Sequence, residues 1–239
     1  MANQIYQYSL LSALMHGICH EGATVQQVLQ HGDHGLGTTR GLDGEIMIVD
    51  GKAYHFPSNP KQSPRALPAT TILPYVVITR FQPTLHKSLP CLPIASLHDA
   101  LFPLLPTQQN TFISVRLDAW FHSIRFRVIP AQSRPRESLK VLATRQVVKE
   151  CRDIRGVIFG FWSPPYTSGF SVAGFHLHFM SEDGASGGHV VGFEAGGEEV
   201  KLSAAPIRDY RVEVPAGEEF HEAPVGNFAD KELHAAERA

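Results

Sequence analysis

The spacing of apolar and polar positions changes character along the chain. Between residues 4 and 30 it suits one or two helices: Tyr8, Leu11, Leu14 and Met15 fall on one side, and Val25, Val28 and Leu29 follow Thr24, a good N-cap residue. HGDHGLGTTRG (31–41) reads as a turn-rich loop. In GEIMIVDGKAYHF (44–56) two β-prone runs flank Asp50-Gly51, the strongest short hairpin signal. A Pro- and Ser-rich loop (57–70) precedes ILPYVVITRF (72–81), which reads as a buried strand, and residues 96–105 suit a short helix. TFISVRLDAWFHSIRFRVIP (111–130) reads as a second hairpin, leaving through the polar AQSRPRESL (131–139), a domain boundary. Then come a strand, VIFGFW (157–162), the Pro164-Pro165 turn, a further hairpin over 170–195 and a helix-like tail, ADKELHAAERA (229–239). Hairpins outnumber helices, so the expected class is α+β, with two β-sheet-rich subdomains packed through a shared core: residues 1–130 and 131–239.

Composition narrows the classes. A chain of 239 residues with 43% hydrophobic and 18% charged residues can bury a core without disulfides, which excludes disordered and fibrous classes. A formal net charge of -2 offers no footprint for nucleic acid or an anionic membrane. Cys19, Cys91 and Cys151 are far apart and lack C-x-x-C spacing, which points to reduced thiols. The first residues carry no basic run, and Ser12, His16 and Gly17 interrupt the apolar stretch after them. The expectation is a cytoplasmic protein with neither export signal nor membrane span. Thirteen histidines are a first hint of metal chemistry.

In FHLHF (175–179) a period-two strand puts His176 and His178 on one face and Phe175, Leu177 and Phe179 on the other. If Asp183-Gly184 forms a two-residue turn, His178 falls directly opposite His189, and all three imidazoles share one face; a slip of one residue would turn His189 away. Opposed Cβ atoms lie about 4.5–5.5 Å apart, and residues two along a strand roughly 6.5–7 Å, so three imidazoles can converge on one divalent ion. Three protein ligands leave positions open for water or substrate, as in a catalytic site. Zinc is the first choice; iron, nickel, cobalt and manganese also fit.

GVIFGFWSPPY (156–166), AGFHLHFMSEDGASGGHV (173–190), HGDHGLGT (31–38) and LDGEIMIVDGKAYHF (42–56) together resemble the α-acetolactate decarboxylase family, and the resemblance runs over nearly the whole chain. It implies a two-domain α+β protein, expected as a homodimer, holding a metal by three histidines in a cleft between β-sheets, without an organic cofactor. The implied reaction turns (S)-2-acetolactate, a 2-hydroxy-3-keto acid, into (R)-acetoin and CO2, on the route to acetoin and 2,3-butanediol. Carried over by position, the metal ligands are His176, His178 and His189, and the substrate-binding arginine is Arg127, in the R-x-x-P-x-Q motif RVIPAQ. The two functional glutamates are Glu45, in LDGE, and Glu237, in HAAERA; Thr38, in GLGT, is taken as lining the site. The chemistry asks for such groups: a Lewis acid for the negative charge left when CO2 departs, a planar cation for an oxygen that gains charge, and a proton donor.

Competing readings exist. Glu45 could mark an exposed strand end, although it interrupts the apolar stripe of Met47 and Val49, and Arg127 could belong with Arg125 to a solvated strand edge. At the level of function, the runner-up is a three-histidine hydrolase of a small ester or amide, which needs a base beside a metal-bound water. A non-catalytic metal-binding module would need neither Arg127 nor a glutamate.

Overall fold

The computed structural model describes residues 1–104 and 110–226. In chain order its first elements are β1 (Gln4–Tyr8), α1 (Leu11–Met15), β2 (Ala23–Thr24), α2 (Val25–Leu29), β3 (His34–Thr38), β4 (Glu45–Val49) and β5 (Lys52–Phe56). There follow β6 (Arg65–Ala66), β7 (Ile72–Leu73), β8 (Tyr75–Thr79), β9 (Leu85–Pro93), α3 (Leu97–Leu101) and β10 (Phe112–Val128). The remainder is α4 (Leu139–Ala143), β11 (Val147–Ser163), β12 (Gly174–Ser181), β13 (Gly187–Ile207), β14 (Asp209–Glu213) and α5 (Glu218–His221).

Seven strands form one sheet in the order β14-β1-β8-β3-β4-β5-β6, antiparallel except for the β1–β14 pair. A second sheet runs β10-β11-β12-β13-β9, and a further β10–β13 pairing closes β10 to β13 into a ring. Neither sheet comes from one of the segments 1–130 and 131–239 alone: β9 and β10 of the ring sheet belong to the first, and β14 of the seven-stranded sheet to the second.

Alternation along the strands assigns the two faces of each sheet. Inside the ring, Phe121, Phe126, Leu177, Phe179, Phe193 and Leu202 form one core. Outside it, Val157, Phe159 and Phe161 of β11 meet Leu36, Met47, Val49, Phe56, Tyr75 and Val77 of the seven-stranded sheet, with α1 and α4 contributing Leu14, Met15, Leu139 and Leu142. The far face of the seven-stranded sheet is covered by Val25 and Val28 of α2. The resulting class is sheet-rich with few, short helices, as the pattern suggests.

Local expectations fare unevenly. Thr24 does cap α2, in a capping box with Gln27. Asp50 and Gly51 turn the β4–β5 hairpin with φ of 50° and 75°, the left-handed pair a two-residue turn demands. The 170–195 hairpin forms, with His178 opposite His189. The helix over 96–105 forms as α3 between two 3-10 turns, with Leu105 outside the described residues; the tail 229–239 lies outside them too.

Three readings need correction. Residues 4–8 are a strand, because Ile5 faces one core and Tyr6 and Tyr8 the opposite one, a period of two that both neighbouring strands satisfy. Residues 34–38 are a central strand and no loop: a Cβ at Gly35 or Gly37 would sit 2.4 Å from the carbonyl oxygen of Val77 or Tyr75, so these glycines serve close strand approach rather than turning. Residues 112–128 are one 17-residue strand in place of a hairpin; the break in alternation near Asp118–Ser123 is a set of register shifts against β13.

Phe179 is fully buried, with its ring 5.5 Å from that of Phe121 and 5.6 Å from that of Phe126. Phe179→Ala is expected to destabilise the chain by about 3–5 kcal/mol, read as a lower urea midpoint at unchanged slope.

Candidate active site

Two rows of polar side chains face each other across the gap between the sheets. On the ring sheet, Arg127 of β10 stands opposite His189 of β13, which stands opposite His178 of β12; His176 lies two residues along. Each is the outward member of an alternating strand whose inward members, such as Phe126, Leu177 and Phe179, fill the ring. On the seven-stranded sheet, Tyr75 of β8, Thr38 of β3 and Glu45 of β4 are successive cross-strand partners. Thr38, Glu45, Tyr75, Arg127 and the three histidines line one pocket, closed by the apolar side chains of Leu14, Leu42, Ile129 and Leu139.

The histidines are nearly sealed from solvent, His178 at 1% exposure, and a ligating nitrogen from each lies within 4.8 Å of the others. His178 Nδ1 is 2.7 Å from the Ile46 carbonyl oxygen on β4. A carbonyl only accepts, so Nδ1 carries the proton and Nε2 presents a lone pair. That Nε2 is buried and has no hydrogen-bond partner among the described residues. A second nitrogen fixed by a backbone carbonyl, with the first left bare, is the arrangement that orients a metal-ligating histidine, so the residues present fit a divalent ion.

Burial keeps His176 and His178 neutral. Burial pushes His178 down to about 3, the Ile46 hydrogen bond opposing and the Arg127 charge adding to the shift. His176 is held well below its ordinary value, first by burial, then by His178 and Arg127. Neutral imidazole is the form that binds a metal.

Glu45 is 7% exposed and Arg127 2%. A Glu45 carboxylate oxygen lies 3.8 Å from Arg127 and accepts from the Ile129 amide at 3.4 Å, while the other is 3.6 Å from His178 Nε2. Glu45 is thus no exposed strand end, and Arg127 is no solvated edge residue. Thr38 donates its hydroxyl proton to the Gly44 carbonyl oxygen at 2.8 Å, leaving acceptor lone pairs for a ligand. Of the residues singled out from sequence, Glu237 alone lies outside the described residues.

Sequence reasoning missed Tyr75, whose signal was a hydroxyl in the stripe it shares with Val77 on the inner face of β8. It also missed the Ile46 carbonyl, which no side-chain pattern could reveal.

For the metal-free chain a pH dependence follows. His178 binds a proton in the unfolded chain below about 6.5 but only near 3 when folded, so stability is lost as pH falls through that window. His178 contributes to that loss through the proton it takes up on unfolding. Urea midpoints at pH 6.5, 5.5 and 4.5 check this, and His178→Phe should flatten the slope.

Comparison with known proteins gives one consistent family. The family described as Alpha-acetolactate decarboxylase matches residues 5–227. The alpha-acetolactate decarboxylase of Brevibacillus brevis is 32% identical over 238 residues, which is 98% of this chain and 81% of that protein. That of Methylococcus capsulatus is 34% identical over 237 residues, 98% and 89% of the two chains. The crystal structure of alpha-acetolactate decarboxylase from Bacillus subtilis strain 168 superimposes with a TM-score of 0.92 at 26% identity, covering 99% of this chain and 100% of the other. Membership over the full shared fold follows: this chain belongs to the alpha-acetolactate decarboxylase family.

Proposed function

We propose that the chain converts (S)-2-acetolactate to (R)-acetoin and CO2, with a divalent metal, zinc first among candidates, held by His176, His178 and His189. The observation that carries this reading is the convergence of three buried histidines with a buried Arg127 and Glu45 in one pocket. The three-histidine hydrolase finds no support in the family to which the chain belongs.

In the reaction the bond between the carboxylate carbon and its neighbour breaks, the electron pair passes toward the adjacent ketone, and one proton is added at carbon. Bound at the triad, the ion would supply Lewis-acid stabilisation for negative charge on the substrate oxygens. Arg127 presents a planar, permanently charged fork from a buried position. CO2 leaves uncharged, so a grip on the carboxylate would favour the ground state, and the useful contact of Arg127 is with the oxygen that gains charge. Glu45, within reach of both Arg127 and His178, takes up the proton that the reaction consumes and delivers it to one face, which sets the product's handedness. Glu237 is the second candidate for that step, on the family resemblance alone. Leu14, Leu42, Ile129 and Leu139 keep water from the charge that develops. Thr38 lines the floor beside Glu45.

Its three cysteines are free thiols, which supports a reducing, cytoplasmic setting. No helix of the described residues is long and apolar enough to cross a membrane. Assembly as a homodimer is adopted from the family resemblance.

The test is an assay with racemic 2-acetolactate that follows acetoin and CO2 before and after chelation and zinc restoration. Chelator-sensitive release of (R)-acetoin from one enantiomer is expected, and Arg127→Ala should lower kcat/KM by about 100-fold or more. Undiminished turnover by rigorously metal-free protein would contradict the metal reading, and no release above the spontaneous rate would contradict the reaction.

A further inference from the structure

His55 stands behind the pocket and outside the chemistry described so far. On β5 it alternates with Phe56, so while Phe56 packs between the sheets, His55 faces the opposite side with Ala53. It is 1% exposed. Its Nε2 lies 2.6 Å from the Asp43 carbonyl oxygen, which makes Nε2 the protonated nitrogen and the donor. Nδ1 is buried with no hydrogen-bond partner among the described residues. An apolar side chain would fill this place without stranding a nitrogen, so packing does not account for an imidazole here.

What His55 grips is the turn that enters β4. The Thr39 hydroxyl donates to the same Asp43 oxygen at 2.6 Å, and Thr38 donates to the next carbonyl, Gly44. Between them the backbone is left-handed at Gly41, Leu42 and Gly44, with φ of 72°, 58° and 78°. A leucine in that region persists only where its surroundings hold it. At Gly44 a Cβ would lie 2.4 Å from the Phe56 carbonyl oxygen and 2.7 Å from His55 Nε2. The residue that follows is Glu45, with its carboxylate between Arg127 and His178.

We propose that His55 is a positioning residue for the decarboxylation: by donating to the Asp43 carbonyl, with Thr39 as second donor, it holds the strained 41–44 turn and so sets where the Glu45 carboxylate stands relative to Arg127 and His178. Burial pushes the imidazole below its ordinary value, which keeps it a neutral single donor. This inference rests on the reading of Glu45 as the group that handles the proton.

The test compares His55→Phe, His55→Gln, Thr39→Val, Glu45→Gln and the double variant of His55→Phe with Glu45→Gln, each metal-loaded, by kcat, KM, metal content and the enantiomeric excess of acetoin. His55→Phe is expected to keep metal content, and KM within about twofold, while kcat falls about tenfold and enantiomeric excess drops. His55→Gln, whose amide can still donate, should recover most of both. Added to Glu45→Gln, His55→Phe should cost nothing further, because it acts through that carboxylate. Wild-type kcat and stereochemistry in His55→Phe beside an impaired Glu45→Gln would overturn the positioning role, as would an equal loss in both backgrounds. A fully active Glu45→Gln would overturn the underlying reading of Glu45 instead. If His55→Phe does not fold, Thr39→Val carries the test: a smaller fall in kcat with lower enantiomeric excess supports the role, and an unchanged enzyme overturns it.

Discussion

The hydrogen bond from His178 to the Ile46 carbonyl ties the ring sheet to the seven-stranded sheet at the site itself. It requires the two backbones to approach closely, and the sequence accommodates that with Gly187, where a Cβ would meet the Phe56 ring at 2.6 Å. It also decides which nitrogen is free. With Nδ1 committed to β4, Nε2 of His178 lies among His176, His189 and Glu45 and presents a lone pair instead of a donor.

Everything else in the pocket follows from placing charge in a nearly dry space. Arg127 and Glu45 are both buried, and each is tolerable because the other, the Ile129 amide and the neutral imidazoles surround it. The same dryness that pushes His178 down strengthens any interaction of Arg127 with a substrate oxygen. Such a site is expensive for the fold, and the apolar contacts outside the polar rows, such as Phe159 and Phe161 against Met47 and Val77, offset that expense.

Much of this is legible in the sequence. The H-x-H alternation put His176 and His178 on one face, and His189 joins them as expected, although the turn is a four-residue loop closed by Ser181 and Ser186 instead of a two-residue Asp183-Gly184 turn; both lengths leave the same residues opposed. Asp50-Gly51 was equally decisive for the hairpin that carries Glu45. What stayed hidden has physical reasons. Gly35 and Gly37 look like turn formers, and only the neighbouring strand shows that they are needed for close approach. The long strand β10 carries bulges that interrupt its alternation, so its middle mimics a turn. The role of Ile46 lies in its carbonyl, and that of Tyr75 in which face of β8 meets the pocket, and neither is written in residue type.

Whether the three imidazoles form a metal centre is read from X-ray absorption at the zinc edge of the zinc-loaded chain. Three imidazoles with nitrogen at about 2.0–2.1 Å and no sulfur are expected. A sulfur shell near about 2.3 Å, or a single imidazole, would contradict such a centre.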